Sequence, residues 1–69
     1  MSELYDVVAV RMDVLTVRLI GEGKTLPNAE AVVKLAVMRL GVETEFYVEV
    51  PAGSYQEGEA WAGKKEVTE

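Results

Sequence analysis

Few residues in this chain could do chemistry. It contains neither histidine nor cysteine, which removes the commonest general base, the thiolate nucleophile and the usual transition-metal ligands. Ser54 is the most conspicuous hydroxyl, but in Gly53-Ser54-Tyr55-Gln56 it lacks the glycine two residues later that a nucleophile elbow needs, and no histidine could activate it. Gly21-Glu22-Gly23-Lys24-Thr25 invites comparison with a phosphate-binding loop. The spacing fails, because no glycine stands five residues ahead of Gly23. Helix N-termini attract anions, yet a loop ending in a capping residue accounts for this stretch. Glu43, Glu45 and Glu49 could offer oxygen ligands to a hard cation. Alternation places all three on one strand face, but the spacing is extended and no calcium-loop pattern of Asp, Asn and Gly is present. No catalytic, cofactor-binding or metal-binding residue is therefore assigned, and no cofactor is expected.

Binding is the chemistry that remains. Tyr47, Tyr55 and Trp61 either form a recognition patch, since aromatics are favoured at interfaces, or complete a small core. The formal charge is −5, and its distribution is uneven. Residues 1–39 carry five acids and five bases, whereas residues 40–63 carry Glu43, Glu45, Glu49, Glu57 and Glu59 and no base. Such a balance excludes broad nucleic-acid affinity, which requires clustered Lys and Arg. A one-signed segment could instead imitate nucleic-acid phosphates and capture a basic protein partner, although five acids are few for such a mimic. Glu57 and Glu59 bracket Gly58, as turn residues do.

The elements that must position these residues follow from periodicity. Leu4 to Met12 alternates loosely, with Leu4, Val8, Val10 and Met12 on one side and Tyr5, Val7, Ala9 and Arg11 on the other, as in a strand covered on much of both faces. Val14 to Ile20 reads as a second strand with Leu15, Val17 and Leu19 inward, supported by its β-branched residues. Gly21 to Lys24 ends that run. Thr25 is placed to cap a helix over Leu26–Leu40, Pro27 suits its first turn, and Gly41 supplies the stop, with Val42 packing back beside it. Glu45 to Val50 is a third strand, with Phe46, Val48 and Val50 on one face and Glu45, Tyr47 and Glu49 on a solvated face; Pro51 ends it.

The helix is the clearest element. Leu26, Ala29, Val33, Ala36, Val37 and Leu40 form one apolar stripe, and Ala31, Leu35, Met38 and Val42 form a second. That is wider than the arc of roughly 100° needed to pack on one sheet face. The surplus calls for a cover, which is the C-terminal segment folding over the helix, self-association through the helix or an open sheet edge, or a separate partner.

With 69 residues and no cysteine, the chain supports one core without disulfide or thiolate-metal staples, which leaves oligomerisation as the remaining aid to stability. Residues 1–61 are expected to form a single α+β domain and residues 62–69 a disordered tail. The arrangement is a two-layer ββαβ fold, a three-stranded, mainly antiparallel sheet in the order 2-1-3 with the helix on one face. The order follows from a right-handed crossover, and it predicts that Arg11 neighbours Glu45 or Glu49 across strands. No segment could span a membrane. The acidic start, Met1-Ser2-Glu3-Leu4-Tyr5-Asp6, is unlike a secretory signal, so a cytoplasmic location is expected.

Lys24-Thr25-Leu26 leading into an Ala-Glu-Ala helix, then Glu45-Phe46-Tyr47-Val48, Pro51-Ala52-Gly53, Tyr55, Gly58 and Trp61, resembles small uncharacterised bacterial and phage-encoded ββαβ proteins over most of residues 5–61. The resemblance implies a fold and a mobile-element origin, and carries over no active site. The leading expectation is a non-enzymatic protein–protein interaction module that forms a homodimer. Its candidate interaction surface comprises Ala31, Leu35, Met38, Glu45, Tyr47, Glu49, Tyr55 and Trp61. The alternatives are the acidic mimic that binds a basic partner, and a small ligand-binding protein or enzyme with carboxylates lining a dimer cleft.

Overall fold

A computed structural model describes residues 3–63. Three strands and one helix follow in the order β1 (Tyr5–Arg11), β2 (Val17–Lys24), α1 (Leu26–Leu40) and β3 (Glu45–Pro51). The sheet order is β2-β1-β3, with both outer strands antiparallel to β1. The fold is α+β, and the strand order and helix bounds are those the sequence predicts.

The central strand explains the rest. Val7, Val8, Ala9 and Val10 have no exposed surface, so β1 is covered from both sides. Fully burying one valine side chain contributes about 1.5 kcal/mol or more. Val8 and Val10 join Val17, Val50 and Tyr55 in one cluster, with Leu19, Phe46, Val48 and Trp61 packed against it. On the opposite face Ala9 meets Ala36 and Tyr47, with Ile20 and Val33 beside them.

This assignment of faces corrects two expectations. The helix lies on the face that carries Tyr47, which alternation suggests is solvated, and leaves the Phe46, Val48 and Val50 face to the C-terminal segment. That segment consequently does not fold over α1. Residues 52–63 form an irregular third layer on the far side of the sheet. The physical reason is size matching: the helix buries alanines, Ala29 and Ala36, and lies close over Ala9. The larger valines and Phe46 on the other face are filled by Tyr55 and Trp61.

Four local readings also change. The connection Met12–Thr16 is a loop in which the Leu15 N–H donates to the Arg11 carbonyl at 2.7 Å. Leu15 has φ 53° and is exposed rather than inward. Gly21 to Lys24 continues β2 instead of ending it, through register shifts at Val7/Val8 and Tyr5/Val7 that insert extra residues on the β2 side. Thr25 occupies the N-cap position with extended backbone, but its side chain makes no capping bond; Pro27 lies in the first turn. Gly41 closes the helix at φ 78°, its N–H donating to the Val37 carbonyl at 3.1 Å, while Val42 is exposed and does not pack back.

Ala62 and Gly63 are tied to the body, the Ala62 N–H donating to the Tyr55 hydroxyl at 2.9 Å and that hydroxyl donating to the Gly63 carbonyl at 2.5 Å. The rest of the expected tail, residues 64–69, lies outside the described residues.

Candidate functional site

Because the C-terminal layer lies across the sheet, the outer stripe of α1 is open. Leu35 is 51% exposed and Met38 80% exposed, with Ala31 exposed beside them. The positions 31, 35 and 38 recur at steps of four and three, the spacing of a helix seam that meets another helix. The residues α1 buries are Ala29 and Ala36, while most of its large residues are exposed, the reverse of a helix whose partners are all in its own chain. Among the described residues, no helix is long and apolar enough to cross a membrane.

The acidic residues do not converge. Glu45 and Glu49 sit on β3, on the same face as α1, and are half-buried. Glu57 and Glu59 sit at the opposite edge of the sheet, against β2. Glu57 Oε1 accepts the Leu19 N–H at 2.9 Å, and Glu59 Oε1 accepts the Gln56 N–H at 2.8 Å and closes a turn around Gly58. Glu45 is held by Arg18, whose guanidinium reaches both carboxylate oxygens at 3.1 and 3.2 Å. Glu45 and Glu49 thus lie on one edge strand, and Glu57 and Glu59 at the other edge. Among the described residues, no three acidic side chains cluster closely enough to hold a metal ion.

Arg11 and Glu45 are cross-strand neighbours in register, as the sequence predicts. The guanidinium of Arg11, however, bonds Asp13 at 2.8 Å, and Glu45 takes Arg18 from across β1. The nearer partner within the loop wins at an exposed site, where neither pairing is worth much.

The aromatic residues belong to the core more than to a surface. Tyr55 is 2% exposed and stacks on Trp61 with centroids 5.2 Å apart. Trp61 meets the edge of Phe46 at 5.6 Å and is half-buried. Tyr47 is buried, and its hydroxyl donates to the Gly41 carbonyl at 2.7 Å, tying the helix end to β3. Burial raises the Tyr47 phenol above its ordinary value of 10.0, and the Glu45 carboxylate adds to this while Arg18 opposes it. As candidate surface residues Tyr47 and Tyr55 are therefore corrected to core. Of the interaction surface expected from sequence, Ala31, Leu35 and Met38 form one contiguous open stripe, and Glu45 and Glu49 lie on the edge strand.

Asp6 escapes a sequence reading. It is a buried carboxylate, 6% exposed, whose Oδ1 accepts the Gly23 N–H at 3.0 Å and whose Oδ2 accepts the Gly53 N–H at 2.9 Å. An acid within a run of valines is the available signal, since a buried charge must be hydrogen-bonded to be tolerated. Its role is to join the end of β2 to the turn after β3. Ser54 is likewise structural: its hydroxyl donates to the Pro51 carbonyl at 2.5 Å within that turn.

Comparison of the chain with protein-family models, with curated proteins and with solved structures finds no match.

Proposed function

We propose that this protein is a non-enzymatic interaction module of the cytoplasm that self-associates through the outer stripe of α1. The observation that carries the reading is the placement of residues 52–63 on the far side of the sheet, which leaves Leu35 and Met38 uncovered among the described residues. Apolar side chains at helix-seam spacing that stay exposed on so small a body are the mark of a partner surface. A second copy presents the same stripe, and a two-fold pairing of helices covers both at once.

Sedimentation equilibrium across a concentration series tests this. The expected mass is twice the chain mass of 7.6 kDa, returning to the single-chain value when Leu35→Lys and Met38→Lys are combined. A single-chain mass for the wild-type protein at every concentration would overturn the proposal.

A further inference from the structure

The two edges of the sheet are treated differently by the chain. Along the outer edge of β2, the protein supplies its own covering segment. The Val17 N–H donates to the Glu59 carbonyl at 2.9 Å, the Gly58 N–H to the Val17 carbonyl at 2.8 Å and the Trp61 N–H to the Leu15 carbonyl at 2.8 Å. A bridge between Thr16 and Ala60 and the bond from Leu19 to Glu57 complete the cover.

Among the described residues the outer edge of β3 has no such cover, as its register shows. The Met12 N–H donates to the Thr44 carbonyl at one end of the β1–β3 ladder, and the Ala52 N–H to the Leu4 carbonyl at the other. Every pair between them keeps the same register. Hydrogen-bonded and non-hydrogen-bonded pairs alternate along an antiparallel ladder, so the even-numbered residues of β3 bond β1. Glu45, Tyr47, Glu49 and Pro51 turn their main-chain groups outward. Pro51 has no N–H, and its carbonyl is taken by the Ser54 N–H and hydroxyl. The outward N–H and C=O of Glu45 and Tyr47 have no hydrogen-bond partner among the described residues. Buried main-chain groups are nearly always paired and open edges recruit strands.

We propose that the outer edge of β3 docks an extended segment of a partner protein with lysine or arginine at every second position, added as a fourth strand beside the flank of α1. Two observations select this occupant. First, the edge is lined by acids on the face where alternate side chains of an added strand would fall. Glu45 and Glu49 stand on β3, and Glu30 lies across an open groove of about 540 Å³ between Glu49 and the Pro27, Ala31 and Lys34 flank of the helix. Among the described residues, Arg18, paired to Glu45, and Lys34, in the same groove, are cations on this face. The other face of the added strand would meet half-buried Phe46 and Val48, which suits apolar residues at the intervening positions.

Second, the charges disfavour another copy of β3. An antiparallel copy must pair odd-numbered residues with odd-numbered ones. Registers that engage Glu45 and Tyr47 then oppose Glu45 to Glu49 or to Glu45, or Glu43 to Glu49, or else spend Glu45 or Tyr47 on Pro51, which cannot donate. Like charges directly opposite destabilise strand pairs, and charged residues on an edge are a recognised guard against self-pairing.

The test uses an alternating lysine–valine hexapeptide blocked at both ends, titrated into the wild-type protein and into the Leu35→Lys, Met38→Lys protein. The second protein separates this proposal from self-association through α1. The amide resonances of Glu45 and Tyr47 should shift in both proteins. N-methylation of one alternate set of peptide amides should weaken binding about tenfold or more, while methylation of the other set leaves it unchanged, because only one set faces the ladder. A glutamate–valine peptide should not bind. The proposal is overturned if a block-ordered peptide of the same composition binds equally, if the shifts fall on Leu35 and Met38 instead, or if no peptide binds. It is also overturned if the Glu45 and Tyr47 amides move with protein concentration alone, which would make a second copy the occupant.

Discussion

Val8 and Val10 look toward Tyr55, Trp61 and Phe46, whereas Val7 and Ala9, on the opposite face of the same strand, look toward a helix whose buried residues are Ala29 and Ala36. The irregular layer holds the bulky, interlocked side of the molecule, and the regular helix holds the thin side. A helix that approaches through alanines gains closeness, but it leaves its leucine and methionine outside. The side with the most obvious secondary structure is thus the side left incomplete.

Substitutions can break this contrast. The largest effect is expected from Tyr55→Ala, which removes a fully buried ring and the stacking surface of Trp61. A loss of about 3 to 5 kcal/mol in chemical denaturation is expected, a large fraction of the roughly 5 to 15 kcal/mol that stabilises an ordinary domain. An unchanged midpoint would mean that the aromatic layer is not the main core. Asp6→Ala removes the buried carboxylate that accepts the Gly23 and Gly53 N–H groups and should cost about 1.5 to 3 kcal/mol by the same measurement.

Leu35→Lys with Met38→Lys sharpens the comparison from the other side. Measured on the single chain, this double substitution should move stability by no more than about 0.5 kcal/mol per site, since both residues are exposed. The helix face would then be shown to contribute little to folding. Glu45→Gln removes the exposed bond to Arg18 and should cost about 0.5 kcal/mol.

The smallest effect is on pH dependence. The raised Tyr47 phenol means that the folded state retains a proton the unfolded chain would release. Its contribution is fully present below the ordinary tyrosine range and declines as pH rises above about 10. Tyr47→Phe should flatten that decline in a pH series of thermal melts.

Much of the frame is legible in the sequence. The helix bounds are set by Thr25, Pro27 and Gly41, and the 2-1-3 order by one crossover. Burial of β1 on both faces can be read from Val7-Val8-Ala9-Val10. That last pattern already demands two covering layers, but alternation says only that two faces exist and not which cover goes to which. The destination of residues 52–63 has no period to reveal it. Its signal lies in Tyr55 and Trp61, two large rings that the alanine-lined helix side has no room to accept. Leu15 at positive φ and the strand running through Gly21 and Gly23 are tertiary outcomes, since their bonding partners lie in β1 and, through Asp6, in the turn after β3. Of the site, the surplus stripe Ala31, Leu35 and Met38 is visible from helical spacing alone. The open edge of β3 emerges only from register.

Asp6 binds, through its two oxygens, amides that belong to opposite edges of the sheet and to distant parts of the sequence. The Gly23 bond requires β2 to have paired with β1 and the Gly53 bond requires β3 to have done so, so both are made only in the completed sheet. In hydrogen exchange the Gly23 and Gly53 amides should therefore open together, with one free energy, as a single cooperative unit spanning the sheet, while the loop amides on either side exchange independently. One carboxylate would then act as a latch that registers completed assembly of the chain.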